Sequence, residues 1–298
     1  MGFLLGTVLL GLVTALACAL PGVLVVLRRN SMLVDAIGHA VLPGIVVGYL
    51  FTRDIDSPWL IIGAALSGLL VVLGSEWLTA TGLVAGDAPQ GLVFPALFSL
   101  GVIMVSARLS NVHLDEHAVL VGDLNLAAMQ QLIVGNTSLG PSYLYVMLAV
   151  LALNAAFLAL LYPQLKLTTF DAPFAASLGI PVRGLNVAFM FLVSITVTAA
   201  FNAAGAILAM ALMVVPPATA WLLSRRLSVM IALTGLFAVL GAAIGFWVAY
   251  LLDAATSAAM AVCNGLLFAA VLLGTRMNRR LRRRPGAGAS AIAAAETR

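Results

Sequence analysis

Residues 28–44 read RRNSMLVDAIGHAVLPG, and this stretch decides which fold the chain can adopt. Two arginines end one apolar run, and a second apolar run begins within three residues of them. Asp35 and His39 lie in the second run, four residues apart, so a helix would place both side chains on one face with Cβ atoms about 5–6 Å apart. Ionisable side chains are costly at membrane depth and usually face a cavity or a partner. The pair therefore calls for a functional explanation.

The composition identifies a lipid bilayer as the solvent of this chain. Of its 298 residues, 63% are hydrophobic and 9% are charged, and the mean hydropathy is +1.13. Soluble domains typically carry about 25% charged residues. The apolar runs reach the length of about 20 residues that a membrane-spanning helix needs, and they are too long for barrel strands. We therefore predict an all-α polytopic membrane protein, in which Cys18 and Cys263 are small apolar core residues.

Nine apolar runs are long enough to span a bilayer. They cover residues 3–27, 31–51, 58–79, 88–108, 141–162, 184–202, 204–223, 228–251 and 255–275. If the C-terminus is cytoplasmic, all but Arg53 and Arg108 of the fifteen Lys and Arg residues lie on the cytoplasmic side. The positive-inside rule favours this orientation, so the N-terminus is predicted to lie outside. Residues 276–298 are rich in Arg and then in Ala and Gly, and we expect a disordered cytoplasmic tail that contacts membrane lipid.

The buried acid–imidazole pair indicates a site for a divalent cation. Imidazole and carboxylate without thiolate suit Mn²⁺ or Zn²⁺ better than Cu(I). Even zinc takes four ligands, so the others would come from water or from the same face of a second copy. The alternative is a structural hydrogen bond that pins two helices. Pro43 would loosen the helix just beyond His39, and Gly38, Gly44 and Gly48 would allow close helix contact.

The same stretch resembles the signature of the manganese/zinc/iron permeases of ATP-binding-cassette importers, an Arg–Arg pair followed by Asp-Ala-x-x-His-Ala-x-x-Pro-Gly. Three other segments resemble that family: VLVGDL (119–124), FDAPFAASLGIPV (170–182) and GAILAMALMVVPPATAWLL (205–223). The resemblance implies a permease domain of the vitamin B12/metal-uptake type over residues 1–275, in the bacterial inner membrane. It makes Asp35 and His39 the metal ligands. Mn²⁺, Zn²⁺ or Fe²⁺ would be the cargo, and no cofactor would be tightly bound.

The resemblance also implies partners. These are a cytoplasmic ATPase that binds the ATP, an extracytoplasmic metal-binding protein, and a second copy of the permease or a paralogue; nucleic acid is not among them. The sequence agrees that the motor is separate, because a phosphate-binding loop needs G-x-x-x-x-G-K-[ST]. The only lysine, Lys166, has no glycine loop before it. We therefore do not expect the chain itself to be an enzyme.

Within this resemblance, residues 163–183 form the cytoplasmic coupling segment. Asp171 is predicted to cap the N-terminus of a short helix, with a proline in the first turn and Gly179 as the C-terminal stop. Phe174 and Leu178 are four residues apart and would present one apolar face to the ATPase. The spacing alone equally allows a helix that lies on the membrane surface.

The outer connection contains a second candidate metal site. In HLDEH (113–117), His113 and His117 are four residues apart and flank two carboxylates. This is not the protease motif, which needs a glutamate directly after the first histidine. The stretch is either a transient metal contact at the entrance or a solvated polar turn.

Two other function classes remain open at this stage. A proton-coupled secondary metal carrier could use the same pair, because histidine titrates near neutrality. Such carriers often contain inverted repeats with broken helices, and no convincing repeat is evident in this sequence. An intramembrane enzyme would need a nucleophile and base or a metal triad at membrane depth, where the sequence places one histidine.

Overall fold

The structure is a computed structural model that describes residues 3–53, 58–84, 86–108, 124–134 and 137–282. It consists of helices and one small antiparallel hairpin. The elements in chain order are α1 (Phe3–Leu27), α2 (Ser31–His39), α3 (Val41–Thr52), α4 (Pro58–Ala80), α5 (Ala88–Arg108), α6 (Leu124–Met129), β1 (Gln131–Val134), β2 (Thr137–Pro141), α7 (Ser142–Phe170), α8 (Ala172–Ser177), α9 (Val182–Ala204), α10 (Ala206–Leu223), α11 (Leu227–Leu252) and α12 (Thr256–Arg282).

The described residues contain nine spans that are long and apolar enough to cross a membrane, as the hydropathy predicted. The second span is divided into α2 and α3. Most boundaries agree with the predicted ones within a few residues, because the length of an apolar run follows directly from bilayer thickness.

Two helices extend beyond the predicted spans. α7 continues through Pro163 to Phe170, although the predicted span ends at residue 162. α12 continues to Arg282, so the prediction of a disordered tail from residue 276 was wrong for its first seven residues. Hydropathy marks where a helix leaves the membrane, whereas lysine, arginine and leucine keep helix propensity beyond that point. Residues 283–298 lie outside the described part of the chain.

The helices pack around α1 and α9, which are the most buried spans of the described chain, whereas α5 is the least buried. α1 contacts α7, α10 and α11, and α9 contacts α4 and α7. A single residue, Gly205, connects α9 to α10, and its φ is +81° and its ψ 168°. That conformation is open essentially only to glycine.

A buried asparagine joins three spans near the middle of the bundle. Pro21 lies inside α1 and has no N–H, so the Ala17 carbonyl loses its helical donor. Asn154 of α7 is fully buried, and its Nδ2 donates to that carbonyl at 2.8 Å. The same amide is hydrogen-bonded to Thr196 of α9 at 3.0 Å. A polar side chain thus completes the backbone pairing that the proline interrupts.

Candidate metal-binding site

Asp35 and His39 lie on one face of α2, as their spacing predicts. Asp35 Oδ1 and His39 Nε2 are 3.5 Å apart, and the side chains are 36% and 38% exposed. Two ligand atoms that are each about 2.1 Å from a tetrahedral ion lie about 3.4 Å apart. The two side chains are therefore already spaced to bind one ion together.

Aromatic side chains of α5 cover one side of the imidazole. The His39 ring stacks on Phe94 with centroids 5.5 Å apart and an interplanar angle of 26°. Phe98 meets the same ring edge-on, with centroids 6.4 Å apart. This packing fixes the ring plane and shields one of its faces, so an ion or a partner would reach the pair from the remaining exposed side.

As a ligand set for a metal ion, the pair would be incomplete. Among the residues that the structure describes, no third His, Cys, Asp or Glu joins Asp35 and His39. Two protein ligands cannot close a four-coordinate site. The missing ligands would have to come from water, from backbone oxygens or from another chain. His113 and His117 lie outside the described residues, so the entrance contact remains a prediction.

The helix that holds the pair ends directly after it. Ala40 separates α2 from α3 with φ −83° and ψ 0°, and Pro43 lies in the first turn of α3. The predicted loosening of the helix just beyond His39 is therefore observed. The Ala40 carbonyl accepts a hydrogen bond from the hydroxyl of Ser67 on α4, at 2.5 Å. A side-chain donor from a neighbouring helix thus stabilises the break between α2 and α3.

Glycines set the distance between this span and its neighbours. A Cβ on Gly38 would lie 2.6 Å from a ring atom of Phe201 on α9. Gly44 on α3 and Gly63 on α4 face each other so closely that a Cβ on either would overlap the carbonyl oxygen of the other. Gly48 also contacts the backbone of α4, which agrees with the close helix contact that the sequence predicted.

Residues 171–179 form the short capped helix that the sequence predicted. The Asp171 carboxylate accepts from the Phe174 N–H at 3.0 Å, and Gly179 has φ +78°. Ile180 N–H donates to the Ala175 carbonyl at 3.1 Å, which completes a Schellman motif at the end of α8. Phe174 and Leu178 are 51% and 58% exposed. The segment therefore presents apolar side chains on a rigid, capped turn of helix.

Sequence reasoning missed a polar cluster beside α8, at the ends of the two helices that flank it. Arg28, which directly follows the first span, donates hydrogen bonds to Thr168 and Thr169 on α7 and to Asn186 on α9. These partners are 140–158 residues away in the chain. Threonine and asparagine form no recognisable motif with an arginine at such separations, so no local signal in the sequence could have indicated the cluster.

Comparison with known proteins places the chain in a family. The sequence model of the ABC 3 transport family matches residues 1–275. The zinc transport system membrane protein TroD of Treponema pallidum is 43% identical over 266 residues, which are 89% of this chain and 72% of that protein. The manganese transport system membrane protein MntD of Bacillus subtilis is 37% identical over 268 residues, or 90% of each chain.

The fold has a counterpart among solved structures. PsaBC from Streptococcus pneumoniae, in complex with Fab, matches with a TM-score of 0.74 over 91% of both chains at 24% identity, a similarity that shows a shared fold. The family match covers the first eight spans that the structure describes and most of the ninth, which ends at Asn278. This chain therefore belongs to the ABC 3 transport family, and it is a multi-pass membrane permease subunit of an ATP-binding-cassette transporter.

Proposed function

We propose that this chain forms the translocation pathway of an ATP-driven importer of a divalent first-row transition metal, with Mn²⁺ or Zn²⁺ as the favoured cargo and Fe²⁺ as a further candidate. The observation that carries the proposal is the Asp35–His39 pair, spaced at 3.5 Å on the open face of an interrupted span. Relatives at 43% and 37% identity are named for zinc and manganese transport, which supports the same class of cargo.

Asp35 and His39 act in this proposal as the protein ligands of the ion in transit. One imidazole nitrogen and one carboxylate suit Mn²⁺ and Zn²⁺, and the small number of protein ligands favours release. A second permease, either another copy or a paralogue, faces the exposed side of the pair and contributes the remaining ligands together with water. His113 and His117 contact the incoming ion near the outer surface.

The driving force comes from separate subunits. A cytoplasmic ATPase docks on α8, where Phe174 and Leu178 supply apolar side chains for a groove on that partner. An extracytoplasmic metal-binding protein delivers the ion on the opposite side. The exposed apolar pair on a capped helix supports the docking role, because such side chains are usually covered in an assembled complex.

The test is metal uptake by the complete transporter in proteoliposomes, with ATP supplied on the ATPase side and no proton gradient. Asp35→Ala and His39→Ala should each reduce uptake to the level of empty vesicles while the complex still assembles. Equilibrium dialysis against Mn²⁺ and Zn²⁺ should show the same loss of binding without ATP.

Asp253→Asn is the matched control. Asp253 is an exposed carboxylate between α11 and α12, and asparagine tolerates its left-handed φ of +52°. This variant should transport at the wild-type rate. Wild-type uptake by both Asp35→Ala and His39→Ala would refute the ligand assignment. Uptake that requires a proton gradient and ignores ATP would replace the importer with a secondary carrier.

A further inference from the structure

We propose that Arg28 is a positioning residue that connects the coupling helix α8 to α2, the helix that carries Asp35 and His39. Through Arg28, a displacement of α8 by the ATPase would move the metal pair. The inference rests on the proposed function, because it assigns Arg28 a role in linking ATP hydrolysis to metal movement.

The guanidinium of Arg28 uses all three of its nitrogens. Nε donates to Thr169 Oγ1 at 3.0 Å, Nη2 to Thr168 Oγ1 at 3.1 Å and Nη1 to Asn186 Oδ1 at 2.9 Å. Its Cζ lies 4.9 Å from the ring centroid of Phe189, so the planar group also packs on an aromatic face. Four contacts in different directions fix both the position and the orientation of the guanidinium.

These contacts lie at the base of the coupling helix on both sides of it. Thr168 and Thr169 are in the last turn of α7, and Asp171 follows directly as the cap of α8. Asn186 lies near the start of α9, on the chain that returns from α8. Arg28 therefore connects the end of α7, which leads into the coupling helix, to the start of α9, which follows it. Arg28 is therefore placed to respond when α8 is displaced.

Arg28 is also close to α2 along the chain, because it directly follows the last residue of α1. α1 ends in a Schellman motif, in which Asn30 N–H donates to the Val25 carbonyl at 3.0 Å and Arg29 N–H to the Val26 carbonyl at 3.1 Å. Three residues separate α1 from α2, and Asp35 is the fifth residue of α2. Because this turn is short and hydrogen-bonded, Arg28 and the Asp35–His39 pair can move little relative to each other.

The charge of Arg28 is balanced by dipoles at the described contacts. Burial lowers the pKa of the guanidinium to about 10, so it remains charged at neutral pH. Its three acceptors are neutral oxygens, and a carboxylate joins the cluster through Asn186, whose Nδ2 donates to Glu76 Oε1 on α4. A lysine would keep the charge at this position, but it could not reproduce the planar fork.

The experiment compares the number of ions transported per ATP hydrolysed by the complete transporter in proteoliposomes. Arg28→Gln should assemble and hydrolyse ATP. Its ratio should fall at least about tenfold, because one lost hydrogen bond to a charged group corresponds to about that factor and Arg28 makes three. Arg28→Lys should give an intermediate ratio. Equilibrium dialysis without nucleotide should show unchanged metal affinity for both variants, because Asp35 and His39 are intact.

Arg29→Gln is the matched control, since Arg29 is exposed and has no side-chain hydrogen bond among the described residues. It should keep the wild-type ratio. A double variant, Thr168→Val with Thr169→Val, removes two acceptors while leaving the arginine, and it decides the question if Arg28→Gln does not assemble. It should lower the ratio as well.

Two results would overturn the inference. One is a wild-type ratio in Arg28→Gln or, if that variant does not assemble, in the double threonine variant. The other is a parallel loss of hydrolysis and uptake, which leaves the ratio unchanged and indicates a structural role only. A wild-type transporter without ATP-dependent metal uptake would instead refute the proposed function, so the two failures can be told apart.

Discussion

Asn154→Leu tests how this chain accommodates a proline inside a central span. Leucine has the same branching as asparagine, so the change removes the amide and keeps most of the packing. Asn154 is fully buried and donates to the Ala17 carbonyl, which has no helical donor because residue 21 is proline. Thr196 keeps a second partner, the Leu192 carbonyl at 2.9 Å. The substitution therefore leaves one main acceptor unpaired.

The size of the effect follows from that single acceptor. A buried polar group left unpaired costs about 1–3 kcal/mol, whereas hydrogen bonds between membrane helices average about 0.6 kcal/mol and reach about 1.7. We expect a loss of about 1–2 kcal/mol, or a factor of about 5–30 in the folding equilibrium. In a Pro21→Ala background the residue 21 N–H can pair with the Ala17 carbonyl, and the loss should fall below about 0.5 kcal/mol.

Reversible unfolding of the purified chain in mixed detergent micelles measures the four members of this double-mutant cycle. Thr196→Val is a control, because it leaves the hydrogen bond between Asn154 and Ala17 in place. It removes the contacts between Asn154 and Thr196 instead, so its cost should be the same with proline and with alanine at position 21. An equal cost of Asn154→Leu with proline and with alanine at position 21 would refute the reasoning. It would mean that the amide does not compensate for the proline.

The remaining predictions concern the partner surface and helix packing. Phe174→Glu should reduce co-purification of the ATPase, because it places a charge on the apolar face of α8. Leu83→Glu is the control, because it places the same charge on the predicted inner turn between α4 and α5, and it should not reduce co-purification. Normal ATPase yield and normal metal-stimulated hydrolysis in Phe174→Glu would count against docking on α8. Gly44→Ala should destabilise the chain by about 1–3 kcal/mol, because the new Cβ would lie 2.6 Å from the carbonyl carbon of Gly63. Gly265→Ala, which meets open space, should not lower the thermal midpoint, and equal midpoints for the two variants would contradict this explanation.

The spans were predictable because bilayer thickness converts directly into a length of apolar sequence. The ends of α7 and α12 were not, because a helix can continue into water on propensity alone once it has formed. Pro163 illustrates the difference: it directly follows the predicted span, which ends at residue 162, yet α7 continues through it. The capping of α8 was predictable, since Asp171 and Gly179 act on backbone groups only a few residues away.

The candidate site was predictable only in part, for a similar reason. The shared face of Asp35 and His39 follows from helical periodicity, which is a local property. The contacts of Phe94 and Phe98 with the His39 ring could not be predicted in this way. α5 is apolar on all sides, so its sequence does not indicate which face meets α2. The contacts of Arg28 depend on how distant helix ends meet, and a single sequence does not encode that information in any short pattern.

The conformation of Arg29 has a consequence for biosynthesis. Its φ of +59° is a left-handed conformation that glycine would adopt more easily, and its side chain is exposed. A glycine would thus serve the turn at lower cost, but it would remove a positive charge from the end of α1. Charges at that position bias the direction in which a nascent chain is inserted. We therefore expect the charge of Arg29 to matter during membrane insertion, before the bundle has formed.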